Sequence, residues 1–344
     1  MTSKISLYAA AAATMLSIPA MADARNLRAV GSSTVYPFAK AVAERVARAN
    51  PKLGAPIVES TGTGAGFKLF CAGVGERFPD ISNASRRMKA SEAKQCAGNG
   101  VKDVTEIQVG LDGLALATAK STGLSNLTQR DVYMALAKTP YGKPNKAKTW
   151  KDVNGKLPAI PIRVYGPPPT SGTRDSLNEL MMTPGCEANA GMVAMKKANE
   201  AKYKAICNGI REDGAFIEAG ENDNLIVQKL AANPNTVGFF GYSFLEENTA
   251  KLKGVAINGV QPTYATISSF KYPGARPLYI YVKNAHVRAI PAIRAYVAEF
   301  TKESAMGPNG YLKQLGLVAA PNGVRAKSQQ AARNMTPVQF AELK

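Results

Sequence analysis

One histidine and one tryptophan serve a chain of 344 residues, and 25 acidic residues face 43 lysines and arginines. The single histidine, His286, offers no imidazole pair for a metal. It also argues against a phosphoester hydrolase, which needs an activated nucleophile or an acidic metal cluster. Four cysteines are present (Cys71, Cys96, Cys186 and Cys207) without a CxxC spacing, so a thiolate metal cluster and a CxxC redox motif are excluded. After residue 22 no run is long and apolar enough to span a bilayer. No basic block is interleaved with aromatics, so no nucleic-acid partner is expected. No repeat or low-complexity array appears, and no cofactor motif is complete. Gly166 and Gly172 stand one residue too far apart for a phosphate-binding P-loop and no lysine follows them, while "GTGAG" lacks the GxGxxG order.

The chain opens on an export pattern. Lys4 supplies a positive start, Ile5 to Ile18 an apolar core, and Ala20-Met21-Ala22 a small-x-small cleavage site. Cleavage after Ala22 is expected, which removes 22 of 344 residues, leaves 322, and lowers the net charge from +18 to +17. Such a surplus attracts anions. An even cysteine count in an exported chain predicts disulfides. Proximity in sequence favours Cys71–Cys96 and Cys186–Cys207.

Short β-prone runs alternate with amphipathic segments, the pattern of an α/β fold. Strands are expected near 27–30, 57–59, 80–83, 106–119, 162–165, 236–244, 253–257 and 276–284. Helices are expected at 35–49, from about Phe67, at 91–96, in "LTQRDVYMALA", across 174–231 and at 291–302. Gly110 and Gly113 interrupt the long run at 106–119 and suggest a bend or crossing point. The β-rich stretches near 107–118 and 263–282 read as paired connections between two lobes. Residues 23–110 and 268–344 would form a discontinuous first lobe and 111–267 the second, with a ligand cleft between them. Phe240, Tyr242 and Phe244 read as one face of a strand, and Trp150 as a packing anchor. Asn222, Asp223 and Asn224 lie at a helix start, where capping is the default role.

One local chemistry recurs where strands give way to helices. "GSST" places Gly31, Ser32, Ser33 and Thr34 after the first strand. "STGTG" places Thr63 and Gly64 after the second. "ISNASRRMK" places Ser82, Ser85, Arg86 and Arg87 after the third. "TSGTRDS" places Thr170, Ser171, Gly172, Thr173, Arg174 and Asp175 in the second half. Helix starts leave N–H donors unsatisfied, glycine admits a close approach, and hydroxyls add further donors. Each loop alone is an ordinary cap. Four of them in a basic, exported chain predict a site for a tetrahedral oxyanion.

At these residues the sequence resembles the periplasmic phosphate-binding proteins of ABC transporters, within the class II solute-binding superfamily. The resemblance covers most of the mature chain in motif order. It implies a two-lobed periplasmic-binding-protein fold, each lobe a mixed β-sheet flanked by helices. It also implies a monomeric, non-catalytic receptor that takes inorganic phosphate, or a related oxyanion, to a permease in the inner membrane. The binding residues it implies are Ser33, Thr34 and the following backbone at Val35, Thr63 and Gly64, and Ser171, Gly172 and Thr173. Two family features are missing. Ser85 or Arg86 stands where an aspartate often accepts the ligand proton, and Pro167-Pro168-Pro169 stands where an arginine often precedes the Ser-Gly-Thr loop. Arg86 or Arg174 is then the expected counter-charge, and Asp112 or Asp175 the expected acceptor.

Overall fold

The computed structural model describes residues 25–169, 171–220 and 223–343. Among them, eleven strands are labelled in chain order: β1 Arg28–Gly31, β2 Ile57–Ser60, β3 Ile81–Ala84, β4 Val104–Ala119, β5 Asn126–Leu127, β6 Val164–Gly166, β7 Phe216–Glu218, β8 Val237–Gly241, β9 Leu252–Gly254, β10 Ala256–Ile257 and β11 Ala275–Lys283. The helices that matter for the site are α1 Tyr36–Ala49, α2 Thr63–Phe70, α3 Ala90–Gly98, α4 Gln129–Leu136, α5 Trp150–Val153 and α6 Gly172–Leu177.

The sheet runs β2-β1-β3-β11-β4-β8-β6-β7, with β9 also on β4 and β5–β10 as a separate pair. β1 is parallel to β2 and β3, whereas β11 is antiparallel to both β3 and β4. β6 is parallel to β7 and β8, and β8 is antiparallel to β4. Both halves are therefore mixed sheets, and one strand joins them. Val104 to Gly113 of β4 pairs with β11, while Leu114 to Thr118 pairs with β8. The register slips between Leu278 and Tyr279, a β-bulge that adds local twist. Gly110 and Gly113 sit in this stretch for want of room. A Cβ at Gly110 would lie 2.5 Å from the Leu317 side chain, and one at Gly113 2.7 Å from Ile267. The chain crosses between the halves again before β11, and beside the first crossing Leu111 and Val318 exchange backbone hydrogen bonds at 2.8 and 3.0 Å.

Buried apolar residues form three clusters. Two flank the first half of the sheet: one holds Phe38, Val42, Ile107, Ile280, Tyr296 and Phe300, the other Phe67, Phe70, Ala84, Met88 and Tyr281. The third fills the other half around Leu116, Tyr133, Trp150, Leu177, Phe239 and Phe240. Trp150 is 1% exposed, as befits an anchor. Cys71–Cys96 and Cys186–Cys207 are bonded at 2.01 and 2.02 Å, the two pairings favoured by proximity in the chain.

Four local expectations need correction. Strand β7 interrupts the stretch 174–231 that was expected to be helical, because Phe216–Glu218 pairs in parallel with β6. The second helix starts at Thr63, four residues before Phe67, because Gly62 takes a positive φ of 78° that turns the chain at once. The strand at 237–241 stops at Gly241, and Tyr242 begins a helix, so Phe240, Tyr242 and Phe244 do not share a strand face. β8 is covered on both sides, with Phe239 and Phe240 fully buried, so its pattern carries no alternation to mark its end. The return connection also begins as a helix, Tyr264–Ser268, and becomes strand only at Ala275.

Candidate functional site

Three of the four hydroxyl-bearing loops gather at one end of the first half-sheet. Gly31 takes φ 128°, and a Cβ there would lie 2.2 Å from the Asn83 carbonyl oxygen. Only glycine lets β1 and β3 end so close together. Gly31 O accepts the N–H groups of Thr61 and Gly62, both at 2.9 Å, and Gly66 of α2 is seated on Gly31 itself. This packing brings Thr63 to Ser85. Their hydroxyls share a hydrogen bond of 3.0 Å, and Thr63 Oγ1 accepts the Ser85 N–H at 3.2 Å. Both residues are buried. Gly64, next along α2, faces open space. Ser82 Oγ and both polar atoms of the Asn83 side chain are buried at the end of β3 with no partner among the described residues.

The first loop turns into α1 by its own bonds. Ser32 O accepts the Tyr36 N–H at 3.0 Å, and Ser32 Oγ accepts the Val35 N–H at 3.3 Å. Ser33 and Thr34 point across to the second half. Ser33 Oγ donates to Asp175 Oδ2 at 3.0 Å, and Thr34 Oγ1 donates to the Gly172 carbonyl at 3.1 Å. The backbones touch as well, since a Cβ on Gly172 would lie 2.4 Å from Thr34 N. Within its own loop, Ser171 Oγ accepts the Thr173 N–H at 3.2 Å and starts α6. Thr170 and Asn222 lie outside the described residues.

The charge at this junction comes from Arg276, a residue that sequence reasoning passed over. It sits near the start of β11, is 3% exposed, and reaches both halves. Its Nε donates to Asp112 Oδ2 at 3.1 Å and its Nη1 to Glu179 Oε2 at 2.6 Å. Its Nη2 donates to Thr34 Oγ1 at 2.5 Å and also to Ser176 Oγ. Ser176 Oγ in turn donates to Asp112 Oδ2 at 2.9 Å. The only hint in the sequence was a charge placed at the start of a largely apolar strand.

The two expected counter-charges are held elsewhere. Arg86 makes a two-pronged pair with Glu92 at 2.9 and 2.7 Å. Burial alone would lower its pKa, but the Glu92 carboxylate more than offsets this. Arg174 donates to the Pro167 carbonyl at 3.0 Å and stacks over Phe216, and burial pulls its pKa down. Asp112 therefore faces Arg276 and Ser176, and Asp175 faces Ser33. Close by, Asp223 accepts the Gly241 N–H at 3.1 Å. Burial, aided by the negative field of Asp112, pushes its carboxyl up to about 6. His286 plays no part here. It lies buried, its Nδ1 2.7 Å from Asp80 and its Nε2 accepting the Gly75 N–H at 2.9 Å.

The family profile described as a PBP superfamily domain matches residues 17–304. Protein SphX of Synechococcus elongatus is 33% identical over 331 residues, which cover 94% of this chain and 86% of that protein. The phosphate-binding protein PstS of Staphylococcus saprophyticus is 33% identical over 264 residues, covering 75% of this chain and 70% of that one. Among solved structures, a possible phosphate binding protein from Planctomyces limnophilus aligns with a TM-score of 0.70 at 27% identity, over 91% of this chain and 99% of that one. An ABC-type phosphate transport receptor from Vibrio cholerae shares the fold, with a TM-score of 0.61 at 21% identity over 86% of this chain and 100% of that one.

Proposed function

The chain belongs to the PBP superfamily and, within it, to the phosphate-binding proteins of ABC transporters, and from that premise we propose that it captures inorganic phosphate between its two lobes and hands it to a membrane permease. It is a binding protein, not an enzyme. The observation that carries the reading is the meeting of Thr34, Gly172 and Arg276, which joins loops from both halves around one guanidinium. We take the lobes to be 23–110 with 268–344, and 111–267.

In this reading Thr63, Ser85, Ser171 and Thr173 donate hydroxyl and amide hydrogens to the phosphate oxygens, with the backbone at Thr34 and Val35. Gly64 and Gly172 leave the space these contacts need. Arg276 supplies the positive charge, held in place by Asp112 and Glu179. The Asp112 carboxylate is the acceptor for the proton of monohydrogen phosphate, a group that sulfate lacks. Arg86 and Arg174 shape the rim from their pairs with Glu92 and Glu218. Export through a cleaved leader at residues 1–22 places the receptor in the periplasm as a monomer. Those residues lie outside the described ones.

Calorimetric titration with phosphate, sulfate, arsenate and a phosphonate tests the assignment. Phosphate is expected to bind with a clear preference over sulfate. Arg276→Gln should lower phosphate affinity at least a hundredfold, because a charge-assisted contact is lost and two carboxylates are left unpaired. No heat with phosphate, together with binding of another oxyanion, overturns the phosphate assignment.

A further inference from the structure

The second lobe carries a charged face that the cleft does not use. Residues 138–156 contain Lys138, Lys143, Lys146, Lys148, Lys151 and Lys156, all exposed, against a single acid, Asp152. The Asp152 carboxylate is turned onto the Lys148 and Thr149 N–H groups at 3.0 and 2.8 Å. Lys138 pairs at the surface with Glu212 at 3.7 Å. Lys143, Lys146, Lys151 and Lys156 make no ion pair among the described residues. Mutual repulsion among these cations opposes folding, so their clustering does nothing for the stability of the lobe.

The backbone beneath them is fixed at many points. Asn145 Nδ2 donates to the Met134 and Ala137 carbonyls, both at 2.8 Å, and Arg211 Nη1 donates to the Ala147 carbonyl at 2.9 Å. Lys148 O accepts the Ile162 N–H at 2.8 Å, and Trp150 is buried below. The segment is thus a rigid platform that holds its lysines outward. It leads into the N-terminal end of β6, whereas the Ser171–Thr173 loop leaves the C-terminal end. The lysine segment therefore joins the end of β6 opposite to the one that feeds the Ser171–Thr173 loop.

We infer that this face docks on an anionic phospholipid bilayer and holds the receptor by electrostatics at the membrane that houses its transporter. The cations are lysines, which act as hydrated point charges and offer no bidentate fork. The tryptophan of the segment is buried and no stacking platform accompanies the charges, which disfavours nucleic acid. Six exposed lysines within the nineteen residues 138–156 fall in the range of about four to eight basic residues that binds an anionic headgroup layer. Docking by this end leaves the cleft open to solvent.

The test is co-sedimentation of the protein, purified after export, with vesicles of phosphatidylcholine containing phosphatidylglycerol and with vesicles of phosphatidylcholine alone. The wild type is expected to sediment with the anionic vesicles only, and to be released at about 0.5 M salt, where screening is nearly complete. The quadruple variant K143Q/K146Q/K151Q/K156Q should lose roughly a hundredfold or more in partitioning. Its phosphate affinity should stay unchanged, which shows that the fold is intact and keeps this outcome separate from the cleft's ligand. Equal sedimentation of variant and wild type, or binding to neutral vesicles, overturns the inference. Retention on heparin without vesicle binding also overturns it and assigns the face to a soluble polyanion.

Discussion

Gly172→Ala probes the junction between the lobes with a single methyl group. The added Cβ would lie 2.4 Å from Thr34 N and 2.7 Å from Ser33 C and Thr34 Cα, all backbone atoms of the opposite lobe. Ordinary contact begins near 3.4 Å, so the two loops must separate by roughly 1 Å. The first loop has little room to give, because Gly31 is wedged against Asn83 just before it. The separation breaks the bond from Thr34 Oγ1 to the Gly172 carbonyl, now 3.1 Å, and stretches the one from Arg276 Nη1 to Glu179 Oε2, now 2.6 Å. Losing one neutral and one charged hydrogen bond removes about 2–4 kcal/mol from closure. Phosphate affinity, which depends on closure, should fall roughly 30- to 1,000-fold. Folding stability should hold, since Gly172 is the first residue of α6, takes no positive φ, and the clash is relieved when the lobes open. Calorimetry for affinity, thermal melting for stability and X-ray scattering at saturating phosphate together isolate the effect. Gly323→Ala, in the helix Asn322–Asn334 outside the site, is the control, because nothing lies within 4 Å of its added Cβ. Unchanged affinity and unchanged compactness in Gly172→Ala would refute the view that the lobes close by contact at this point.

Two further changes test the buried charges. Asp223 has a folded pKa of about 6 against an ordinary 3.8, so the folded state binds its proton more tightly than the unfolded state does, and stability falls as pH rises from about 4 through 6. Asp223→Asn should therefore raise the melting temperature at pH 8, by an amount equivalent to roughly 1–3 kcal/mol, with the gain fading as pH drops towards 4; a gain independent of pH would contradict the assignment. Asp80 is fully buried, pairs with Arg25 at 2.7 Å, and holds His286 and the Arg28 N–H. Asp80→Asn leaves Arg25 without its counter-charge and should cost about 3 kcal/mol in denaturant unfolding at pH 7. A loss below about 1 kcal/mol would show that water already screens that cluster.

The loops of the site were legible because turn chemistry is local. Glycine at Gly31 and Gly62 and hydroxyls at Ser32 and Ser171 announce a strand end and a helix start within a few residues, and the structure puts them there. Residues joined only by the fold were not legible. Arg276 meets Asp112, Glu179 and Thr34 across 164, 97 and 242 residues, and no periodicity spans such gaps. Arg86 was the more visible arginine, yet a glutamate six residues on engages it. Asn83 was hidden for a different reason. In "ISNAS" it reads as a polar strand end, and only the packing of Gly31 and Gly66 against β3 reveals its side chain as buried and unpartnered. The end of β8 was misjudged because a strand enclosed on both faces gives no alternation, and the helix at Tyr242 is secured by a distant bond from the Tyr264 N–H at 2.9 Å.

The sixteen-residue β4 has a mechanical consequence. Because one unbroken strand is stitched into both halves, the lobes are not beads on a slack tether, and their relative motion has to be a torsion of shared ribbon. The direction of swing is therefore constrained by the weave of the fold. Severing the chain near Gly113 would not yield two smaller receptors, only two frayed sheets, each missing the thread that completes it.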